Sequence, residues 1–149
     1  MNSMIPACLL VFGILMMTSL SAQDVAAHRW QDRVVLLLTD DLQSPDIKEQ
    51  LAVFRESPDG MRERKLVIYS ISPAAWNKGL SPAVETRSTV PSKIYQRFHS
   101  GAKPFQLILI GLDGGVKWRV NEVVSCEDLF ALIDGMPMRR AEMRRKSGG

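Results

Sequence analysis

The sequence predicts an α/β domain whose mixed sheet combines two parallel strands with an antiparallel hairpin, flanked by helices. Three apolar runs, at 33–39, 65–71 and 105–110, are continuous. Continuous apolar character, as opposed to alternation, is typical of strands buried on both faces. A helical pattern separates the first two runs, which favours a parallel pair with a right-handed crossover. The Asp-Gly pair at 113–114 follows the third run and indicates a hairpin.

The first helix is predicted to open at Ser44-Pro45-Asp46, because serine is a good N-cap and proline suits the first helical position. Ile47, Leu51 and Phe54 then follow at helical spacing, and Pro58-Asp59-Gly60 is expected to end the helix.

The remaining elements follow from shorter patterns. Residues 72–90 show no clear period and are predicted to form a long loop, with Trp76 as an anchor. A short helix is expected over 91–100, and the alternating run 116–120 is predicted to be the return strand, nearer the sheet edge. Ser125 is expected to cap a closing helix. That helix should break at 135–138, and a basic tail should follow.

The N-terminus has the pattern of a signal peptide. Residues 5–20 are almost continuously apolar, no charged side chain precedes Asp24, and small residues follow the run. We expect a signal peptide at 1–22, a domain at 23–143 and a basic tail at 144–149, with an uncleaved anchor as the alternative. The protein is therefore expected to be exported, to a periplasm or the extracellular space.

The segment from Lys103 to Val116 resembles the part of thioredoxin in which a cis-proline opens a strand and a turn follows. Pro104 matches that proline. The thioredoxin Cys-Gly-Pro-Cys motif falls on Gln43-Ser44-Pro45-Asp46, where only the proline is kept. No cysteine lies between Cys8 and Cys126, so the resemblance implies the fold without its dithiol redox centre.

A second resemblance covers nearly all of the predicted domain. The chain is similar to a bacterial thioredoxin-like family of unknown function, whose domain also occurs in animal secreted proteins with sushi repeats and in a matrix-associated coiled-coil-domain protein. The residues that match its motifs are Trp30, Arg33, Gln50, Glu63, Arg64, Asp113, Gly114, Lys117, Asp134, Met136, Pro137, Met138, Arg139, Arg140 and Glu142. This resemblance implies fold and export, and it implies no reaction.

The candidate groove lies where the first helix begins. In a thioredoxin-like fold this corner faces the proline loop, and helix N-termini attract anions and present free N–H groups. A peptide or small anion is the expected ligand, and an ordinary helix cap is the alternative. The candidate groove residues are Asp40, Asp41, Gln43, Ser44, Asp46 and Pro104. A cation held by Asp40 and Asp41 is weighed against a solvated loop, and no metal site is predicted.

Cys126 is the candidate thiol. A cysteine in the first turn of a helix tends to have a lowered thiol pKa and to be reactive. The alternative is a structural, half-buried thiol. His28 and His99 are isolated in sequence, and the glycines at 111, 114 and 115 fit a turn, since no Gly-Lys-Ser/Thr motif is present.

Three functions remain open. The first is an exported, non-catalytic module that binds a protein or envelope component. The second is an atypical enzyme, peroxiredoxin-like or thiol-dependent through Cys126, or acting through the Asp40, Asp41 and Asp46 corner. The third is a structural or matrix-type protein whose basic end contacts anionic surfaces, because five basic residues and one acid lie from Arg139 onward. No cofactor is predicted, and export argues against nucleic acid as a partner.

Overall fold

A computed structural model describes residues 25–80, 93–101 and 103–148 of the 149-residue chain. The strands are β1 Arg33–Thr39, β2 Leu66–Ile71, β3 Trp76–Lys78, β4 Phe105–Ile110 and β5 Val116–Val120. The helices are α1 Pro45–Arg55, α2 Pro58–Glu63, α3 Lys93–Phe98, α4 Cys126–Asp134 and α5 Pro137–Ser147.

One mixed sheet, in the order β3-β2-β1-β4-β5, organises the domain. β1 and β2 are parallel, with Arg33 opposite Leu66, and the other neighbouring strands are antiparallel. β4 and β5 form the hairpin, and β5 is the outer strand of that side. The predicted parallel pair, hairpin and edge strand are therefore confirmed.

Hydrophobic residues fill both faces of the sheet. Phe54 of α1 and Leu129 of α4 are fully buried on one face, together with Leu37 and Leu107 of the central strands. Ile94 of α3 packs on the other face. Every residue of β1 and β4 is buried, which agrees with their continuous apolar sequences.

Residues 72–90 were predicted to be a loop, and part of that prediction is wrong. Residues Trp76–Lys78 form β3, which pairs with β2 so that Asn77 lies opposite Ser70. A strand of three residues that contains an asparagine and a lysine gives no periodic signal, so its pairing with β2 is what defines it. Residues 81–92 lie outside the described residues. They include the rest of the predicted loop and the predicted start of the next helix.

Pro58 begins a helix, whereas the sequence predicted that it would end one. α1 ends at Arg55, and Pro58 takes a first-turn position of α2, where its missing N–H costs nothing. Gly60 brings α2 close to α4, because a Cβ atom at this glycine would lie 2.5 Å from Cε2 of Phe130. A glycine is therefore needed at this crossing.

The C-terminal segment is helical beyond the predicted break. α4 ends at Asp134 with Gly135 as its C-cap, Pro137 opens α5, and α5 continues to Ser147 through most of the expected tail. The predicted signal peptide at 1–22 lies outside the described residues. In the ranges that the structure does describe, none of the helices has the length and apolar character needed to cross a membrane.

Candidate functional site

The corner between β1 and α1 is shaped by local hydrogen bonds. The Asp41 backbone N–H donates to Oγ1 of Thr39 at 3.2 Å, and the N–H of Gln43 donates to the Asp41 carboxylate at 2.8 Å. Ser44 stands at the N-cap of α1, but its side chain makes no capping bond. Asp46, in the first turn, is exposed. The corner therefore presents carboxylates beside a helix start without a side-chain cap.

Asp40 is hydrogen-bonded to α3, which packs on the face of the sheet opposite to α1. The Tyr95 hydroxyl donates to its Oδ1 at 2.6 Å, and the ring of Tyr95 stacks on His99 at 4.6 Å between centroids. Burial, assisted by Asp40, raises the pKa of Tyr95 to about 12. The phenol therefore stays a donor at neutral pH, and Asp40 has a structural partner.

Pro104 lies next to this corner without the predicted cis bond. Thr39 ends β1 and pairs with Phe105, which begins β4. Asp40 after β1 and Pro104 before β4 therefore lie at the same end of the sheet. No peptide bond within the described ranges is cis, so the expectation of a cis-proline is wrong. The side chains of Asp40, Asp41 and Asp46 do not form a metal-type cluster, and the described parts of the chain contain no group of three or more potential ligands.

The Cys126 thiol lies on α4, away from the corner. Its Sγ donates to the carbonyl of Val53 at 3.4 Å, and the side chain is half-buried. Burial raises the pKa of this thiol, a nearby Ser57 opposes the rise, and Glu56 adds to it. Desolvation therefore favours the neutral thiol, as the alternative of a structural, half-buried thiol expects.

Many of the family-motif residues meet in one ionic network at the opposite end of the sheet. Arg33 is 1% exposed, donates to the Arg64 carbonyl at 2.9 Å and reaches the Glu142 carboxylate at 3.3 Å. Arg139 is 4% exposed and binds Asp134 at 2.9 Å and Glu63 at 3.0 Å. These contacts fasten α5 to β1 and α2.

Arg64 completes the network. It donates to Asp134 at 2.5 Å, and its guanidinium lies 4.1 Å from the centroid of the Phe130 ring. Burial alone would raise the pKa of Asp134, but hydrogen bonds from Arg64 and Arg139 outweigh it and hold that pKa below its ordinary value. The hydrogen bond from Arg139 likewise lowers the pKa of Glu63. The C-terminal motif therefore stabilises the fold.

Trp30 and the hairpin motif lie together near the same end of the sheet. Trp30 has a positive φ of 66°, and its N–H donates to the carbonyl of Leu112 at 2.6 Å. In the turn, Lys117 binds Asp113 at 2.5 Å, and Gly114 has a φ of 81° that glycine adopts without strain. That hydrogen bond lowers the pKa of Asp113. These motif residues define the turn and its contact with the N-terminal segment.

Four further motif positions lie at the start of α5, and they differ in burial. Met136 packs against the core. Met138 is 40% exposed and Arg140 is exposed, so neither is held by the body of the domain. Pro137 opens α5.

His28 belongs to a hydrogen-bonded chain that the sequence did not reveal. Its Nδ1 lies 2.8 Å from the Asp32 carboxylate, and its Nε2 lies 2.9 Å from the hydroxyl of Tyr69. The helical spacing between His28 and Asp32 is the only signal in the sequence. Tyr69 is 41 positions away, so its contribution depends on the fold. The chain holds the segment before β1 against the sheet.

The comparisons with known proteins concern the fold. The crystal structure of a reduced 2-Cys peroxiredoxin from Plasmodium vivax is similar, with a TM-score of 0.53 and 12% sequence identity. The match covers 79% of this chain and 83% of the peroxiredoxin chain. This likeness shows the thioredoxin-like fold. No curated protein matches the sequence.

A family model described as a domain of unknown function, DUF4174, matches residues 24–142. The match spans β1 to α5 and includes the corner, the hairpin and the ionic network. The chain therefore belongs to the DUF4174 family, and its domain has a thioredoxin-like fold.

Proposed function

We propose that this protein is an exported, non-catalytic thioredoxin-like domain that binds a protein or envelope partner at the β1–α1 corner. The proposed binding residues are Asp40, Asp41, Gln43, Ser44, Asp46 and Pro104. The observation that carries the proposal is the chemistry of that corner. In the sequence alignment with thioredoxin, Gln43 and Asp46 take the positions of its two cysteines, and the first turn of α1 has no side-chain cap.

The contacts of Cys126 support a non-catalytic role. Its Sγ is hydrogen-bonded to the carbonyl of Val53 and the pKa of the thiol is raised, so less of the reactive thiolate is present at neutral pH. A thiol-dependent enzyme needs an accessible thiolate beside its substrate. The fold is therefore retained here without an arrangement that suits thiol chemistry.

The corner suits an extended, polar segment of a protein. Asp41 and Asp46 are exposed acceptors, and the first turn of α1 supplies backbone donors that Ser44 does not cap. Pro104, which has no N–H of its own, is exposed on the neighbouring strand end. Donors and acceptors side by side match the alternating donors and acceptors of a peptide backbone.

Export is part of the proposal and rests on residues 1–22. Their apolar run and the small residues after it fit a cleaved signal peptide. Mass spectrometry of the protein purified from its native host tests this. A mature N-terminus near Ser21 or Ala22 is expected, and an intact N-terminus at Met1 would contradict cleavage.

Site-specific photocrosslinking in the native envelope tests the binding role. A photoreactive residue replaces Gln43, and a matched control replaces the exposed Glu127 on α4. We expect a discrete crosslinked protein from position 43 that is absent from position 127. The same crosslink should be lost in the double variant Asp41→Asn, Asp46→Ala. Equal crosslinking from both positions, or insensitivity to the double change, would refute the corner as the binding site.

Contact with anionic surfaces is a second candidate, favoured by α5. Arg140, Arg144 and Arg145 are exposed on this helix, and only Glu142 offsets them within it. Co-sedimentation with vesicles that contain anionic lipid should then decrease as salt rises, and Arg144→Gln with Arg145→Gln should reduce it further. Absent or salt-insensitive binding would contradict this candidate.

A further inference from the structure

A cleft of about 250 Å³ lies between α1, the outer strand β3 and its neighbour β2. Leu42, Ile47 and Leu51 supply its aliphatic lining. Ser70 of β2 and Asn77 of β3 line it from the sheet, and they are cross-strand partners. Cross-strand partners project from the same face of a sheet. The cleft therefore has an aliphatic helix side and a polar sheet side.

Ser70 is the unusual group in this cleft. The residue is only 2% exposed, and its Oγ has no hydrogen-bond partner in the part of the chain that the structure describes. Buried side-chain hydroxyls in folded proteins nearly always have a partner, so an unpaired one beside a cleft indicates a place for a ligand that hydrogen-bonds. The neighbouring Asn77 is also buried on this side of the sheet.

Positive charge surrounds the cleft. Lys48 and Arg55 both line it, and none of the lining residues that the structure describes carries a carboxylate. The Nε of Arg55 donates to the carbonyl of Leu80 at 2.9 Å, which orients the guanidinium. Within the described ranges neither cation is paired with a carboxylate, whereas Arg139 in the ionic network is paired with three. The cleft is therefore suited to an anion.

We infer that this cleft binds an aliphatic carboxylate of short to medium chain length. The alkyl chain would contact Leu42, Ile47 and Leu51. The carboxylate would bind Arg55 and Lys48 and accept a hydrogen bond from Oγ of Ser70. Charge-assisted bonds of this kind orient a ligand whose remaining surface is apolar. Gln43 lines both this cleft and the corner, so the two sites adjoin, but the inference does not depend on the proposed protein partner.

Titration of the protein with octanoate, followed by NMR of the backbone amides, tests the inference. We expect saturable shifts of the Ser70 and Leu51 signals. Arg55→Gln should weaken binding about tenfold, since it removes one charge-assisted contact. Arg140→Gln removes the same charge from an exposed site on α5 and should leave octanoate binding unchanged. Both arginines are exposed, so both variants should keep the fold.

Three further ligands separate the parts of the inference. Octylammonium has the same chain with the opposite charge, and inorganic phosphate is an anion without a chain. Both should bind much more weakly than octanoate, as should the neutral octanol. The inference is overturned if octanoate gives no saturable shifts, if the two arginine variants behave alike, or if any of these ligands binds as tightly as octanoate. The double variant of Asp41 and Asp46 that removes both carboxylates of the corner should not alter octanoate binding.

Discussion

The side-chain amide of Gln50 hydrogen-bonds to both backbone groups of Val124. Its Nε2 donates to the Val124 carbonyl at 3.0 Å, and its Oε1 accepts from the Val124 N–H at 2.8 Å. Gln50 is fully buried in α1, and Val124 lies just before α4. The side chain of Gln50 therefore joins two segments that are 74 positions apart in the chain through two hydrogen bonds.

Replacing Gln50 with alanine should destabilise the domain by about 2–4 kcal/mol. The change leaves the N–H and carbonyl of Val124 buried without partners, and each unsatisfied group costs about 1–3 kcal/mol. Urea unfolding measures the loss, and Glu49→Ala is the matched control because Glu49 is exposed on the same helix. An effect of Gln50→Ala no larger than that of Glu49→Ala would contradict the structural role.

The ionic network should make stability sensitive to acid. The pKa values of Glu63 and Asp134 lie below their ordinary values in the folded protein, so the unfolded chain takes up protons first as the pH falls. Their contribution is complete above the ordinary carboxyl range of about pH 4–4.5. It should be lost progressively as the pH falls through the lower, folded pKa values.

Arg139→Met tests this contribution. We expect a loss of about 2 kcal/mol at pH 7, at the lower end for a broken ion pair because Glu63 and Asp134 retain partial solvation. The difference from wild type should narrow at pH 3, because the unfolded chain then takes up protons that the paired carboxylates of the folded wild type resist. Arg140→Met removes an exposed charge and should cost little. A difference of equal size at pH 3 and pH 7 would argue against the network.

The close approach of Gly60 to Phe130 predicts a non-additive pair of substitutions. Gly60→Ala places a methyl group within 2.5 Å of the ring and should cost about 1–3 kcal/mol. In a Phe130→Ala background the methyl group has room, and alanine should then stabilise α2 by up to about 1 kcal/mol. A double-mutant cycle by urea unfolding measures the difference. The same cost in both backgrounds would mean that the ring is not what limits this position.

The fold was predictable where sequence alone determines burial. The apolar runs matched β1 and β4 at both ends, since strands covered on both faces are continuously apolar. β3 was missed because Asn77 and Lys78 belong to a strand only through their pairing with β2. Pro58 was misread because the same residue suits the end of one helix and the first turn of the next.

The candidate site was predictable only in part. The corner followed from the position of Pro45 after β1. The hydrogen bond from Tyr95 to Asp40 was not predictable, because it joins residues 55 positions apart in the chain. The burial of Arg139 was hidden for the same reason, since Glu63 comes from a distant helix. The sequence left a reactive and a structural Cys126 open, because the helix start is visible in the sequence and the covering core is not.

Thiol chemistry is the sharpest test of a non-catalytic role. Peroxide turnover and insulin reduction are measured with the wild-type protein and with Cys126→Ser, in the presence of a dithiol reductant. We expect no turnover above the protein-free rate and no difference between the two proteins, because the Cys126 thiol is half-buried with a raised pKa and the corner has no sulfur. Robust turnover by the wild-type protein that disappears in Cys126→Ser would show that the domain is a thiol-dependent enzyme.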